Sequence, residues 1–218
     1  MPEEKRQLPL WQESLLLVAT ALVLALIVKT FFFQAFYIPS DSMVPTMVKD
    51  DKLLVQKWSY WSGGPERGDI VVFRDPGNWL GEDLADESSN AVQRGLELVG
   101  LFPSGGHLIK RVVGVGGDRV VCCDAEGRTT VNGEPVDEPY LADQDANADQ
   151  TFDIKVPKGY LWVQGDNRGN SADSRAHLGE PGGGFIADDD VVGKAWLRVW
   201  PFNRFGVISG SDAFDEVP

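Results

Sequence analysis

The stretch LIKRVVGVGGDRVVCC, residues 108–123, places two short apolar runs on either side of a turn. The first run is LIKRVVGV (108–115) and the second is RVVCC (119–123). The glycines that separate the runs allow a tight bend before Asp118. Apolar runs of this length, bounded by turn residues, predict neighbouring strands of an antiparallel sheet.

The same pattern recurs through residues 36–209. Asn132-Gly133, between TTV and EPV, is typical of a two-residue hairpin turn. Short strands at such spacing predict a mainly β fold, a compact antiparallel barrel or sandwich. The further runs are LLVQ (53–56), DIVVF (69–73), TFDIKV (151–156), YLWVQ (160–164) and KAWLRVW (194–200).

Residues 75–106 depart from this pattern. A short helix is predicted over Ala91 to Leu101, after a cap at Ser88 or Ser89. The segment is interpreted either as an excursion packed on the β domain or as a contact with the membrane surface. The run KWSYW (57–61) leaves a similar choice between the bilayer interface and a small core of its own.

Near the N-terminus, residues 15–28 read LLLVATALVLALIV without a charge. As one helix, residues 15–33 rise roughly 28 Å, about the thickness of the hydrocarbon core. The stretch predicts a membrane anchor with Trp11 at one interface. A cleavable signal peptide is one alternative, but the segment FFFQAFYIP contains no small-x-small cleavage site. A buried core helix is the other alternative. Lysines and arginines flank both sides, so charge alone leaves the orientation open.

The predicted organisation has four parts. A short N-terminal segment (1–14) precedes the anchor (15–33), and a β domain follows (34–209) with an insertion at 75–106. The polar and acidic end of the chain (210–218) is predicted to be a flexible tail.

Composition excludes several classes of function. The net charge of −13 argues against nucleic acid as a partner and against adhesion to anionic lipid by charge alone. With two histidines and no ligand spacing of the zinc kind, neither a metal nor a cofactor is predicted. Cys122 and Cys123 are adjacent, and because a bridge between neighbours is strained, two buried free thiols are expected.

The segment PSDSMVPTM (39–47) presents Ser40 and Ser42 between prolines that hold the chain rigid. Such segments are usually ordinary loops. A serine nucleophile also needs a base, for which the chain offers His107, His177 or a lysine made neutral by burial.

The strand LIKRVVGV supplies that lysine. Lys110 and Arg111 point to opposite faces of the predicted strand, so one of the two should face the interior. Most lysines face water, but a buried lysine loses its proton more readily and becomes a usable base.

A third polar segment is GDNRGNSADSR (165–175), which contains two aspartates, two arginines and two serines in addition to its glycines and asparagines. It is either a solvated loop or a platform of ion pairs at the rim of a site.

Together with GDIVVF (68–73) and KRVVGVGGDRV (110–120), the segments PSDSMVPTM and GDNRGNSADSR resemble the signature boxes of the bacterial type I signal peptidases, peptidase family S26. The four boxes follow an N-terminal anchor in the family's order, and the resemblance covers residues 15–200. The single span, the acidic domain and the short insertion resemble the actinobacterial branch.

The resemblance implies a role for each matching residue. Ser42 would be the nucleophile and Lys110 the general base of a Ser-Lys dyad. Ser40 would join the Ser42 amide in the oxyanion hole, and Ser171 would orient the lysine. The charged residues that would brace the site are Arg111, Asp166, Asp173 and Arg175.

The resemblance also implies the substrate, an exported preprotein that is cleaved after a small-x-small motif as its signal peptide leaves the translocon. The peptide would add as a strand between residues 36–39 and residues 107–109. The N-terminus would be cytoplasmic and the catalytic domain extracytoplasmic, with the chain held in the plasma membrane. The residues implied to bind the peptide are Phe36, Ile38, Pro39, Met47, Leu108 and Ile109.

Other functions remain as alternatives. A related Ser-Lys protease, such as a pilin maturation peptidase, fits the same residues, whereas a self-cleaving repressor would need a DNA-binding segment. A Ser-His hydrolase that uses His177 is a second alternative, but the sequence around Ser42 contains no Gly-x-Ser-x-Gly elbow. An inactive anchored scaffold would require a broken dyad.

Overall fold

The computed structural model describes residues 9–77, 79–80, 106–143 and 151–218. The helix predicted over Ala91 to Leu101, with its cap and most of the insertion, lies outside these described residues.

A single long helix, α1 (Leu10–Phe31), opens the described chain. An 18-residue stretch of it has a mean hydropathy of 2.3, none of its 22 residues is buried, and it is the one helix among the described residues long and apolar enough to cross a membrane. The helix starts and ends earlier than the predicted range 15–33. It ends earlier because Phe33 already pairs with Gln56 in a sheet.

The remaining chain is mainly antiparallel β structure, as predicted. The strands that match the predicted apolar runs pair with their neighbours in antiparallel register. The strands of the described residues are β1 (Phe33–Tyr37), β2 (Lys52–Gln56), β3 (Ile70–Arg74), β4 (His107–Gly114), β5 (Arg119–Cys122), β6 (Thr129–Val131), β7 (Glu134–Pro135), β8 (Phe152–Lys155), β9 (Tyr160–Gln164), β10 (Ile186–Ala187), β11 (Val191–Trp200) and β12 (Gly206–Val207).

Two sheets build the domain. The larger has the order β1-β2-β11-β3-β4-β9-β10, with β12 added beside β11, and the smaller has the order β7-β6-β5-β8. Within the described residues β1 pairs with β2 alone and β10 with β9 alone, so the large sheet has two edges. The barrel alternative is therefore wrong, because the sheet does not close within the described residues.

The predicted hairpin turn at Asn132-Gly133 is confirmed. It joins β6 to β7, and both turn residues have positive φ, 55° and 93°. This is the backbone form that favours an Asn-Gly pair in a two-residue hairpin.

The C-terminal residues pack onto the domain, unlike the flexible tail predicted over 210–218. Phe214 and Val217 are buried in one cluster with Trp162. Arg67 Nη1 also donates to Val217 O at 2.9 Å. The polar composition of this segment gave no sign that Phe214 and Val217 would both pack into the core.

Cys122 and Cys123 form a disulfide at the end of β5. The expectation of two free thiols is therefore wrong. Cys122 is buried in the same apolar cluster as Val120 and Phe152, and Cys123 packs at its edge.

Part of the aromatic run 57–61 packs into a small core, and part of it stays on the surface. Trp58 packs with Phe33, at 4.8 Å between ring centroids, and with Trp196, at 6.2 Å. Trp61 contacts Phe32 but keeps 63% of its surface exposed. The run therefore forms a small aromatic core at the foot of α1 and leaves one indole on the surface.

Candidate active site

Ser42 lies in the tight segment that links β1 to β2. The ends of this segment are tied by hydrogen bonds from Ile38 N to Asp51 O and from Asp50 N to Ile38 O, each 2.9 Å. The neighbouring Met43 and Met47 are fully buried in the core. Two buried methionines and the flanking prolines thus hold the Ser42 backbone against the sheet, and only 7% of the residue is exposed.

Lys110 comes from the middle of β4, opposite Val71 of β3. The sequence predicted that either Lys110 or Arg111 would face the interior. The structure buries both, with 4% and 2% of their surfaces exposed, because β4 is covered on both faces. Each face then needs its own polar partners, and these build the site.

The side chains of Ser42 and Lys110 meet, with 2.7 Å between Lys110 Nζ and Ser42 Oγ. Burial disfavours the ammonium form and lowers the pKa of Lys110 from 10.5 to about 8. The charges of Asp173 and Asp166 oppose this shift, and that of Arg175 adds to it. At pH 7 about a tenth of the molecules then carry neutral Lys110, against roughly three in ten thousand for an ordinary lysine.

Ser40 also reaches the dyad. Its Oγ lies 3.3 Å from Ser42 Oγ, and the residue itself is exposed. A hydroxyl at this distance can turn toward a substrate oxygen held beside Ser42.

On the other face of β4, Arg111 pairs with Asp166. The guanidinium Nε and Nη2 donate to the two carboxylate oxygens at 2.8 and 2.7 Å, and neither side chain is more than 2% exposed. Thr46 donates to the same carboxylate at 2.5 Å, and Arg111 stacks on the Tyr140 ring at 3.8 Å. This pair fastens the segment of Ser42 to the strand of Lys110.

A second buried pair joins Asp173 to Arg175, with Nε and Nη2 at 2.9 and 2.8 Å from the carboxylate. Burial raises the pKa of the Asp173 carboxyl, but the hydrogen bonds and charge of Arg175 outweigh burial and bring the pKa below its usual range. Asp173 therefore stays ionised, and it also accepts from Gly165 N at 3.0 Å.

Ser171 does not make the hydrogen bond to Lys110 that its implied role would need. Within the described residues Lys110 Nζ bonds to Ser42. The Ser171 hydroxyl lies beside Gly165. A Cβ added at position 165 would come within 2.3 Å of the Ser171 hydroxyl oxygen and within 2.4 Å of Ser42 O. Gly165 thus lets Ser171 and the Ser42 backbone approach closely, and the orienting role of Ser171 stays a prediction.

The residues predicted to bind substrate fall into two sets. Phe36, Ile38, Met47 and Ile109 share one buried cluster beside the dyad. Leu108 belongs to a different cluster, together with Val71 and Leu161. Pro39 is exposed, and the Phe36 ring contacts His107 at 5.3 Å. Residues 36–39 and β4 are therefore close neighbours.

His177, the alternative base, is engaged elsewhere. Its Nδ1 lies 2.8 Å from Glu180 Oε2, and its ring stacks on Trp79 with 4.3 Å between centroids. No contact between His177 and Ser42 is present in the described part of the chain.

Sequence reasoning did not identify two functional neighbours, Glu138 and Arg168. Arg168 donates to Glu138 through both terminal nitrogens, and both side chains are buried. Arg168 stood in the dense polar segment 165–175, but Glu138 is one of many acidic residues in the chain. No pattern marked it as a partner.

Comparison with known proteins shows the family to which the chain belongs. The family described as signal peptidase, peptidase S26, matches residues 11–200, and the chain belongs to this family. The probable signal peptidase I of Mycobacterium leprae (strain TN) is 37% identical, over 94% of this chain and 81% of that protein. The signal peptidase I of Mycobacterium tuberculosis (strain ATCC 25618 / H37Rv) is 38% identical, over 90% and 75% of the two chains. That of Leptolyngbya laminosa is 35% identical, over 89% and 82%.

Proposed function

We propose that this chain is a membrane-anchored serine endopeptidase that cleaves signal peptides from exported preproteins with a Ser42–Lys110 dyad. The observation that carries the proposal is the 2.7 Å contact between Ser42 Oγ and a buried lysine whose pKa is lowered to about 8. A lysine that is neutral near physiological pH can accept the serine proton, and a serine without such a base is a poor nucleophile.

The dyad accounts for both halves of the reaction. Ser42 Oγ attacks the scissile carbonyl carbon while neutral Lys110 takes its proton, and the carbonyl oxygen becomes an oxyanion. Ser42 N–H and the Ser40 hydroxyl would donate to that oxyanion. The Lys110 ammonium then gives its proton to the leaving amine, and an ester to Ser42 remains. Lys110 next deprotonates a water that attacks the ester, and the returned proton regenerates Ser42.

The substrate would bind in extended form beside β1. This strand pairs with β2 alone in the described residues, so a peptide could add as a strand along its outer edge. Phe36, Ile38, Met47 and Ile109 would line the pockets for the residues one and three before the cut. Because each of these side chains is already packed in the core, the pockets would admit only small substrate side chains and would therefore favour an Ala-X-Ala motif.

The chain would sit in the plasma membrane through α1, with its N-terminus cytoplasmic and the β domain outside. The 22 residues of α1 rise about 33 Å, enough to cross the hydrocarbon core. The exposed Trp61, which contacts Phe32 beside the end of the anchor, would contact lipid headgroups. Such a placement would bring the dyad to preproteins that emerge from the translocon.

Product sequencing tests the proposed specificity. The detergent-solubilised protein is incubated with a preprotein that has Ala, Gly, Ser, Leu or Phe before the cut, and the new N-terminus is sequenced. We expect cleavage after Ala, Gly and Ser and none after Leu or Phe, since a larger side chain has nowhere to go. Ser42→Ala enzyme is the blank. Efficient cleavage after Leu or Phe would contradict the small pockets.

Ser40→Ala should weaken catalysis without abolishing it. Loss of one oxyanion donor costs about 10²–10³ in kcat in comparable sites. Steady-state kinetics should therefore show residual activity well above that of Ser42→Ala. Ser62→Ala, at an exposed serine, is the matched control and should behave as wild type. Equal inactivation of Ser40→Ala and Ser42→Ala would mean that Ser40 does more than donate a hydrogen bond.

A further inference from the structure

Asn167 holds both carbonyl groups that flank the Cα of Ser42. Its side-chain Nδ2 donates to Asp41 O at 3.0 Å, and its backbone N donates to Ser42 O at 3.0 Å. A carbonyl oxygen only accepts, so the group that faces Asp41 must be the NH₂ of the amide. One residue thus fixes two consecutive peptide planes around the nucleophile.

The Asp41–Ser42 peptide contains the N–H that would serve as an oxyanion donor. In a trans amide the C=O and N–H lie in one plane and point in opposite directions. The bond from Asn167 to Asp41 O therefore also fixes the direction of Ser42 N–H. In the described part of the chain this N–H donates to no other group, which leaves it available to a substrate oxygen.

Asn167 is supported from below by a buried ion pair. Arg168 Nε donates to Gly165 O at 3.0 Å, and its terminal nitrogens bind both carboxylate oxygens of Glu138. Arg175 Nη2 in turn donates to Arg168 O at 2.9 Å. The side chains of Arg168 and Glu138 are 0% and 2% exposed. Displacement of residues 165–168 would therefore leave a buried charge uncompensated.

We propose that Asn167 is a positioning residue for peptide cleavage, which aims Ser42 N–H at the oxyanion while the Arg168–Glu138 pair holds Asn167 in place. The inference rests on the proposed Ser42–Lys110 reaction. Asn167 acts through the Asp41–Ser42 amide, and its loss leaves Ser42 Oγ and Lys110 Nζ in place. A merely structural residue would change the fraction of folded enzyme and leave kcat per folded molecule unaltered.

The test compares Asn167→Ala with Asn170→Ala, a matched change at an exposed asparagine of the same loop. Full-length enzyme in detergent is assayed on a preprotein across a range of pH, with the folded fraction measured by circular dichroism. We expect kcat of Asn167→Ala to fall about 10- to 100-fold, because a misdirected donor loses most of its effect. KM should stay as in wild type, since the residues proposed to bind the peptide are unchanged. The midpoint of the rise of activity with pH should also stay as in wild type, since Lys110 is unchanged.

Two further variants keep the proposal open to refutation. Asn167→Asp retains the size of the side chain but cannot donate when ionised, and its kcat should fall as well, with Asn170→Asp as control. Arg168→Lys keeps the charge opposite Glu138 but loses the Nε donor to Gly165, and should lower kcat in the same way. Arg119→Lys, in the exposed pair with Asp153, is its control.

Wild-type kcat in both Asn167 variants, or a rise in KM alone, would overturn the positioning role. Ser42→Ala enzyme assayed alongside keeps this failure distinct from failure of the mechanism. If Ser42→Ala is inactive and Asn167→Ala is fully active, only the positioning role is wrong. If Ser42→Ala cleaves preprotein, the proposed dyad is wrong.

Discussion

Lys110→Arg is expected to abolish cleavage although it keeps the positive charge of the side chain. A guanidinium does not lose its proton in the accessible pH range, so it cannot accept the proton of Ser42. Lys110→Met, which keeps the length and removes the charge, should be equally inactive for want of a base. Turnover of preprotein, measured by the appearance of the mature N-terminus, checks both. Cleavage by Lys110→Arg at more than trace level would contradict the dyad.

The two Lys110 variants should differ in stability. The pKa of Lys110 is depressed in the fold, from 10.5 to about 8, so below pH 8 protonated Lys110 costs the native state roughly 3 kcal/mol. This cost shrinks as the pH rises from about 8 toward the unfolded value. Lys110→Met should therefore be more stable than wild type at pH 7, and the difference should narrow at alkaline pH. Urea unfolding at both pH values measures it, and a difference that grows with pH would have the wrong sign.

Asp166→Asn should destabilise the domain strongly. The change leaves the Arg111 guanidinium buried without its counterion, and breaking such a pair costs about 3–5 kcal/mol. Urea unfolding should show a lower midpoint with a similar slope. Activity should fall as well, since the Arg111–Asp166 pair fastens the segment of Ser42 to the strand of Lys110.

The matched control for Asp166→Asn is Asp153→Asn. Asp153 pairs with Arg119 in the same bidentate manner, but both side chains are more than half exposed. Solvent screens such a pair, so its loss should change stability little. Equal destabilisation by the two substitutions would contradict the view that burial gives the Arg111–Asp166 pair its weight.

Much of the fold could be predicted because its strands are short, apolar and separated by strong turn residues. The run at 108–115 became β4, and Asn132-Gly133 became the turn of a hairpin. Closure of the sheet could not be predicted, because it depends on how far twist accumulates across strands distant in sequence. The packing of Phe214 was hidden for a related reason. One aromatic side chain in a polar stretch gives no periodic signal.

The candidate site was less accessible to reasoning from the residues alone. Alternation along β4 indicated that Lys110 or Arg111 faces inward, but nothing local indicated that both do. The buried position of Lys110 depends on cover from both faces of the sheet, which is a tertiary property. Glu138 pairs with Arg168 across thirty positions of sequence. A single acidic residue in an acidic chain does not indicate which distant arginine it contacts. Only the resemblance to a family predicted that the segments of Ser42, Lys110 and residues 165–175 form one site.

The pH dependence of kcat/KM tests the central claim most directly, because it reports the ionisation of the free enzyme. If neutral Lys110 is the base, kcat/KM for a preprotein should rise with pH through one ionisation with a midpoint near the Lys110 pKa of about 8. Asn170→Ala should show the same midpoint, and Ser42→Ala should show no activity at any pH. A profile that is flat from about pH 6 to 9, or a midpoint near the ~6.5 of an ordinary histidine, would contradict the Ser42–Lys110 dyad.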